Sequence, residues 1–371
     1  MIPFLDMKAV YAELKPDLDA AYFRVMDSGW FVLGKEVEAF EAEYAAFCGT
    51  KHCVGLGNGL EALELVLRAW DLGPGDEVIV PSNTYIATWL AVTAVGATVV
   101  AVEPTPAGPN IDPDRIAAAI TPRTRAIMPV HLYGEPADME AIVALAGRHG
   151  LKVIEDVAQA QGAKVRGRRT GALGHAGAHS FFPSKNIGAI GDGGAVTTDD
   201  AQLAERLRVL RNYGSRVKYV NLERGYNSRL DELQAAFLRA KLPKLDAWNE
   251  RRRVLAARYT DRLAGIPGLG LPRAPQWAEP AWHLYVVRTR RRAELVKALD
   301  KAGIGSLIHY PIPPHLQQAY ADLGWPAGTF PLAETLAETV LSLPMGPHMT
   351  LEEVDEVAAA VRRFADSAGS C

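Results

Sequence analysis

The sequence predicts an α/β protein with a large, mostly parallel β-sheet and a smaller C-terminal α+β domain. Between residues 53 and 200, short β-rich runs alternate with helical patterns, which is typical of parallel strands joined by crossover helices. Several of these runs are apolar at successive positions, as expected for strands covered on both faces. A proline-rich stretch at 266–280 then precedes a further alternation of strands and helices.

The individual elements follow from these patterns. We predict strands at 77–81, 97–103, 125–131, 152–156 and 193–198, and helices at 59–70, 138–149 and 201–212. A long helix at 242–263 precedes the small domain, for which the pattern predicts strands at 283–289 and 306–310, a helix at 292–302 and a terminal helix from Leu351. The predicted domains are a large ligand-binding domain at 1–245, N-terminal segment included, and a small domain at 246–371.

The composition excludes several classes of protein. Of the 371 residues, 49% are hydrophobic and 22% are charged, and the net charge of −3 predicts no nucleic-acid or membrane surface. Cys48, Cys53 and Cys371 are too few and odd in number for a disulfide framework, so we expect a reducing cytoplasm. We find no run of about 18 apolar residues that would predict a transmembrane helix, and the N-terminus does not resemble a signal peptide.

A glycine-rich run opens the first of these helices. Residues 54–60 read Val-Gly-Leu-Gly-Asn-Gly-Leu, and unpaired N–H groups at a helix start form an anion site. A dinucleotide fingerprint would need glycine at position 60, where this chain has Leu60, so that match fails. The run therefore predicts either a phosphate cradle of another kind or a plain strand-to-helix turn.

Two side chains that follow predicted strands are candidates for binding a flat ligand. Asp156 ends the strand at 152–156, and a carboxylate at this end of a parallel strand faces the ligand crevice. Its carboxylate suits the protonated nitrogen of a pyridine ring, but it equally suits a helix cap or a salt bridge. Tyr85 follows the strand at 77–81, where it either stacks on a flat ring or belongs to the core.

The segment 179–194 holds a single lysine, Lys185, among apolar, hydroxyl and glycine residues. Most lysines are exposed, and a lysine in these surroundings indicates a buried amine with a lowered pKa, of the kind that forms Schiff bases. A surface turn is the alternative, but it does not explain the apolar strand that leads through Phe181 and Phe182 into this segment.

With these features in this order, the sequence resembles the fold type I sugar aminotransferases of the DegT/DnrJ/EryC1/StrS family. The resemblance covers nearly the whole chain, from 3–6 through 29–34 to 341–344, and the motif around Lys185 is specific. It implies a fold type I aminotransferase architecture, pyridoxal 5'-phosphate (PLP) as the cofactor, and transfer of an amino group from an amino acid, with glutamate as the family's usual donor.

The resemblance implies roles for individual residues around the cofactor ring. Lys185 binds the cofactor covalently and, once freed, moves the proton. Asp156 pairs with the ring nitrogen, Gln159 lies near the phenolic oxygen, and Tyr85 stacks on the ring.

For the cofactor phosphate, the resemblance implies backbone N–H groups of Gly59 and Leu60 and the hydroxyl of Ser180. Asn227 would reach the phosphate of the neighbouring subunit, which implies a homodimer with shared active sites. Three positions depart from the family pattern. Asn58-Gly59-Leu60 stands where many members have Ser-Gly-Thr, so one phosphate hydroxyl is missing, Gln161 stands where histidine is common, and Phe182 where close relatives often carry tyrosine.

The implied substrate is a nucleotide-linked 3-keto-6-deoxyhexose, aminated at C3, on a dTDP carrier. Segments 83–92, 129–134, 212–219 and 227–232 resemble the 3-aminotransferases more than the 4-aminotransferases. The candidate substrate contacts are His309 and Tyr310 on a proline-stiffened loop, Arg216 and Lys218 for the pyrophosphate, and Phe182. We expect no metal, nucleic acid or membrane as a partner.

Four alternatives remain. A 4-keto-sugar aminotransferase of the same family would share every feature above. A dehydratase of the family would have histidine where this chain has Lys185. A non-catalytic PLP-binding regulator would be expected to carry a DNA-binding module, for which the chain leaves no room. A nicotinamide-dependent sugar enzyme is disfavoured by the failed glycine fingerprint.

Overall fold

A computed structural model describes residues 1–366, so Cys371 lies outside the described residues. The strands are β1 His52–Leu56, β2 Glu77–Pro81, β3 Thr98–Val102, β4 Thr124–Ile127, β5 Lys152–Asp156, β6 Lys164–Val165, β7 Arg168–Arg169, β8 Ala176–Ser180, β9 Gly194–Thr198, β10 Ser215–Val217, β11 Val220–Asn221, β12 Ala278–Glu279, β13 Tyr285–Arg288 and β14 Val340–Leu343. The α-helices are α1 Met7–Ser28, α2 Lys35–Cys48, α3 Gly59–Ala69, α4 Ile86–Ala94, α5 Pro113–Ala119, α6 Met139–His149, α7 Ala201–Leu210, α8 Glu232–Lys241, α9 Leu245–Leu263, α10 Arg292–Lys301, α11 Pro331–Thr339 and α12 Leu351–Asp366.

Seven strands form the central sheet, in the order β1-β9-β8-β5-β4-β2-β3. Within this sheet β3, β2, β4, β5 and β8 are neighbours in that order and pair in parallel. Strand β9 runs antiparallel to both of its neighbours, β8 and β1, so six of the seven strands point the same way. The predicted mostly parallel sheet is therefore confirmed. Because the parallel strands end at one edge, the residues that follow β2, β4 and β5 meet there.

Most of the predicted elements are present with bounds shifted by at most a few residues, and two strands differ more. The strands at 77–81 and 152–156 have the predicted bounds. The strand predicted at 125–131 ends at Ile127, because Pro129 has no N–H group for a ladder. The strand predicted at 306–310 was wrong: only Leu307 bridges to Ser342, and Pro311 interrupts further pairing.

Separate hydrophobic cores pack on the two faces of the sheet and in the C-terminal region. Helices α3, α4 and α7 cover one face with side chains such as Val66 and Trp89, and α5 and α6 cover the other with Ile116 and Ile142. A further core joins α9, α10 and α12 to β13 and β14, and it includes Ile2 from the N-terminus. The domain division after residue 245 stays a prediction. Among residues 1–366, the helices lack the length and apolarity that crossing a membrane requires.

A buried carboxylate joins the central strand β5 to the loop before β8. Glu155 accepts hydrogen bonds from the N–H groups of Gly171 (2.9 Å), Leu173 (2.8 Å) and Gly174 (2.8 Å), and it faces His131 Nε2 at 3.0 Å. Since His131 Nδ1 accepts from a backbone N–H at 3.0 Å, its proton lies on Nε2 and points at the carboxylate. Burial alone would raise the pKa of Glu155, but these hydrogen bonds hold it below the usual value.

Replacing this carboxylate should cost more stability than removing an exposed one. Glu155→Ala leaves three N–H groups, that of Gly171 buried and the other two part-buried, and buried His131 without their acceptor, so we expect the free energy of unfolding to fall by about 3–5 kcal/mol. Urea unfolding of the purified protein measures this loss. The control is Glu140→Ala, because Glu140 is 59% exposed and paired only with exposed Arg166, a pair worth at most about 1 kcal/mol. Equal losses in the two variants would contradict the role given to Glu155.

Candidate active site

A cavity of about 460 Å³ opens at the edge where the parallel strands end. It lies between the starts of α3 and α4, the end of β5, the segment after β8, and the loop at 309–310. Ten of the residues that the sequence singled out line this one cavity: Gly59, Leu60, Tyr85, Asp156, Gln159, Ser180, Phe182, Lys185, His309 and Tyr310.

Lys185 lies in a tight loop after β8. Its N–H donates to Phe182 O at 2.9 Å, and the N–H of Ala189 donates to Phe181 O at 2.7 Å. Gly188 is required in this loop, because a Cβ at that position would lie 2.2 Å from Pro183 O. Burial lowers the pKa of Lys185 to about 8, although the nearby Asp156 carboxylate acts in the opposite direction. A substantial fraction of this amine is therefore neutral near pH 8.

Asp156 ends β5 on the cavity side of the sheet. Its carboxylate accepts hydrogen bonds from Ala158 N–H at 3.2 Å and from the Thr88 hydroxyl at 3.0 Å. The hydroxyl oxygens of Thr84 and Thr88 lie 2.8 Å apart. Because the Thr88 hydroxyl donates its proton to Asp156, the Thr84 hydroxyl is the donor in this second bond. Burial raises the pKa of Asp156, and the hydrogen bonds and the charge of Lys185 oppose that rise. A cationic group bound against this carboxylate would favour its ionised form.

The start of α3 forms one corner of the cavity. Asn58 caps the helix by accepting from Glu61 N–H at 2.9 Å. Gly59 lies so close to β8 that a Cβ there would meet Ser180 Cβ at 2.6 Å. The N–H groups of Gly59 and Leu60 belong to the first helical turn, where N–H groups have no intrahelical acceptor. With the Ser180 hydroxyl beside them, they form a corner suited to a phosphate.

Aromatic and amide side chains form the opposite wall. The rings of Tyr85 and Tyr310 lie 5.1 Å apart, and Tyr85 is 53% exposed, so its ring is available to a ligand. Gln159 Oε1 accepts from Tyr133 N–H at 2.7 Å, which orients its amide and directs Nε2 to the Tyr310 hydroxyl at 3.0 Å. The Tyr310 hydroxyl accepts this bond and keeps its own proton for a further acceptor.

His309 and Phe182 lie at the same cavity. His309 Nδ1 is 2.8 Å from the Ser342 hydroxyl, and burial, together with the charge of Lys185, lowers the pKa of His309 to about 4. His309 is therefore neutral at physiological pH. Phe182 is 52% exposed and offers a ring without the hydroxyl of tyrosine.

Three residues that the sequence singled out do not line this cavity. Arg216 lies on the β10–β11 hairpin and forms an ion pair of 2.8 Å with Glu205 of α7. Lys218 lies on the same hairpin, 5.1 Å above the ring of Tyr219. Asn227 is exposed and forms a bridge with Asn212. These positions lie on the surface of the subunit.

The sequence analysis missed one residue that lines the cavity, His283, and two that bond to its lining, Thr88 and Asn186. Thr88 bonds Asp156, and its signal was a hydroxyl residue four positions after Thr84 in an otherwise apolar segment. His283 lines the cavity, and its signal was a histidine just before an apolar strand. Asn186, which follows Lys185, is buried and bonded to His283.

Comparison with known proteins shows the family to which this chain belongs. The model of the DegT/DnrJ/EryC1/StrS aminotransferase family matches residues 13–362. The chain is 58% identical over 365 residues to the dTDP-3-amino-3,4,6-trideoxy-alpha-D-glucose transaminase of Streptomyces venezuelae, covering 98% of this chain and 96% of that protein.

Two solved structures have closely similar folds. S. venezuelae DesV in complex with a ketimine intermediate is similar with a TM-score of 0.97 at 58% identity, covering 98% of each chain. NtdA from Bacillus subtilis with bound cofactor PMP has a TM-score of 0.92 at 33% identity, covering 98% of this chain and 85% of that chain.

The lowered pKa of Lys185 gives a test on the cofactor-free chain. With a pKa of about 8, its neutral fraction should rise from about 10% at pH 7 to about 90% at pH 9 and then level off. Trace labelling with acetic anhydride, read by mass spectrometry of the Lys185 peptide, measures this profile. Exposed Lys8 is the internal reference for decay of the reagent. Labelling that keeps rising beyond pH 10 would contradict a desolvated amine.

Proposed function

Because the chain belongs to the DegT/DnrJ/EryC1/StrS aminotransferase family, we propose that it aminates C3 of a dTDP-linked 3-keto-6-deoxyhexose with glutamate as the donor. The chain is a PLP-dependent nucleotide-sugar aminotransferase. The observation that carries the reaction is the shared cavity of Lys185 and Asp156, since one supplies a desolvated amine and the other a buried carboxylate.

The cavity residues fit PLP on structural grounds. The close approach of Gly59 to β8 leaves the corner of N–H groups free of side chain, as a phosphate requires. The exposed ring of Tyr85 offers a stacking surface, and Asp156 offers a carboxylate for the protonated ring nitrogen. Lys185 lines the same cavity with the amine that the cofactor aldehyde needs.

Bound in this cavity, PLP supplies the electron sink for removing a proton from the carbon that bears the amino group. Asp156 holds the proton on the ring nitrogen, which strengthens that sink. Lys185, as a neutral amine, takes the proton from one carbon and returns it to another, and its lowered pKa keeps it available for this task. The walls around His309 and Tyr310 offer neutral hydrogen-bonding groups that suit the hydroxyls of a sugar.

The choice of C3 is supported by the S. venezuelae relative, whose name describes a dTDP-3-amino sugar. A 4-keto-sugar aminotransferase is the alternative, because the Lys185–Asp156 chemistry is the same for either ketone. Product analysis separates the two. We expect incubation with glutamate and matched 3-keto and 4-keto dTDP-sugars to place nitrogen at C3, as read by NMR. The Lys185→Ala variant is the control for non-enzymatic amination. Nitrogen found at C4 would contradict the proposed choice of C3 and leave the aminotransferase activity unaffected.

We also propose a cytoplasmic homodimer whose active sites are shared between subunits. Aromatic and other large apolar side chains are exposed on and after α1, which is unusual for a monomer: Tyr22, Phe23, Met26, Trp30 and Phe31. Asn227, Arg216 and Lys218 lie outside their own subunit's cavity, where they are available to a partner. Cys48 and Cys53 are buried free thiols, in keeping with a reducing compartment.

A mixing experiment tests the shared site. In a hybrid of Lys185→Ala and Asn227→Ala subunits, one site receives both substitutions and the other receives neither. Random exchange should therefore restore activity to about a quarter of the wild-type value. The control is a mixture of Lys185→Ala with Asp156→Asn, which alter the same cavity and cannot complement. Equal activity in the two mixtures, or a fully active monomer in sedimentation, would exclude the shared site.

A further inference from the structure

His283 lies at the cavity and belongs to a hydrogen-bond chain whose direction can be assigned. Asn249 Nδ2 donates to Gln161 O at 2.9 Å, so Asn249 Oδ1 faces Asn186 Nδ2 at 2.8 Å. Asn186 Nδ2 also donates to Ala281 O at 2.8 Å. Because a carbonyl oxygen only accepts, the amide orientation of both asparagines is determined.

The proton position on His283 follows from this chain. The remaining oxygen, Asn186 Oδ1, lies 3.0 Å from His283 Nδ1 and must accept from it. The proton of neutral His283 is therefore on Nδ1, and Nε2 carries a lone pair. Nε2 has no hydrogen-bond partner within residues 1–366, yet it is not among the fully enclosed polar atoms, so it remains accessible from the cavity.

Lys185 is the cation from which this lone pair can accept a hydrogen bond. Lys185 lines the same cavity, and it directly precedes Asn186, whose side chain bonds His283. The hydrogen-bond chain thus connects the segment that carries Lys185 to His283, which lies two positions before the start of β13. We propose that His283 is a positioning residue for Lys185, whose amine donates a hydrogen bond to His283 Nε2 while it gains and loses the transferred proton.

The charge state of His283 agrees with this role. Burial lowers the pKa of His283 well below its usual value, and the charges of Lys185, Arg252 and His309 lower it further. His283 therefore stays neutral while Lys185 is protonated. A neutral acceptor favours the ammonium form of Lys185, which moderates the effect of burial, and it holds the lone pair of the free amine in one direction.

Two substitutions separate the two nitrogens of His283. Asn at this position places an amide near Nδ1, so His283→Asn keeps the donor to Asn186 and removes the acceptor at Nε2. Gln reaches the position of Nε2, so His283→Gln keeps an acceptor towards Lys185 and loses the bond to Asn186. The inference rests on Lys185 as the reactive amine and is independent of which sugar carbon is aminated.

The first readout is the pH profile of Lys185 labelling in the cofactor-free full chain. We expect the midpoint to fall by about one pH unit in His283→Asn, because the lone pair at Nε2 that favours the protonated amine is removed, and to stay near the wild-type value in His283→Gln. In the PLP-loaded enzyme, kcat should fall about tenfold or more in His283→Asn, with KM for both substrates nearly unchanged. Exposed His149→Asn is the control for the substitution itself.

A purely structural role would leave the Lys185 midpoint at the wild-type value in both variants, and that result would overturn the proposal. So would equal downward shifts in the two variants, because then the acceptor at Nε2 would not matter. If His283→Asn does not fold, ¹⁵N NMR of the wild-type imidazoles decides, with the His283 signal identified by its absence in His283→Gln. A proton found on Nε2 of His283 would then reject the inference.

Discussion

Strand β5 ends in Glu155 and Asp156, and because successive side chains of a strand point to opposite faces, the two carboxylates leave the sheet on opposite sides. Glu155 is fully bonded to backbone N–H groups and His131, and it fixes the loop that precedes β8. That loop leads into the strand that positions Ser180 and, after it, Lys185. Glu155 thus holds in place the loop that leads into β8, the strand that pairs with β5 beside Asp156.

The basic side chains at the cavity also divide into two kinds, those that keep one protonation state near neutral pH and one that changes it. Burial lowers the pKa of Lys185 to about 8, so this amine still exchanges a proton near neutral pH. Burial lowers the pKa of His309 to about 4 and that of His283 well below its usual value, so both rings remain neutral. Neutral rings can bind and orient a ligand without exchanging a proton, so Lys185 is the basic group of the described cavity lining whose protonation changes near neutral pH.

The sheet, and the candidate residues that line one cavity, could be predicted because both depend on local sequence. The apolar run and terminal acids of β5 and the glycines around Lys185 are visible within a few positions. Helix α1 was not predicted, because exposed Tyr22 and Phe23 break the periodicity set by buried Leu18 and Val25. His283 could not be assigned either, since its proton position depends on Asn186, 97 residues away in the chain.

The charge inventory of the cavity bears on how the substrate is bound. Among the described residues that line it, Lys185 is the single lysine, no arginine is present, and the histidines are neutral. The phosphate corner consists of backbone N–H groups and a hydroxyl, so it is occupied once the cofactor phosphate binds there. Apart from Lys185, the described lining then offers no cation to a nucleotide diphosphate, although phosphates are bound most strongly by arginine and lysine. The cationic side chains of Arg216 and Lys218 lie instead on an exposed hairpin, outside this cavity.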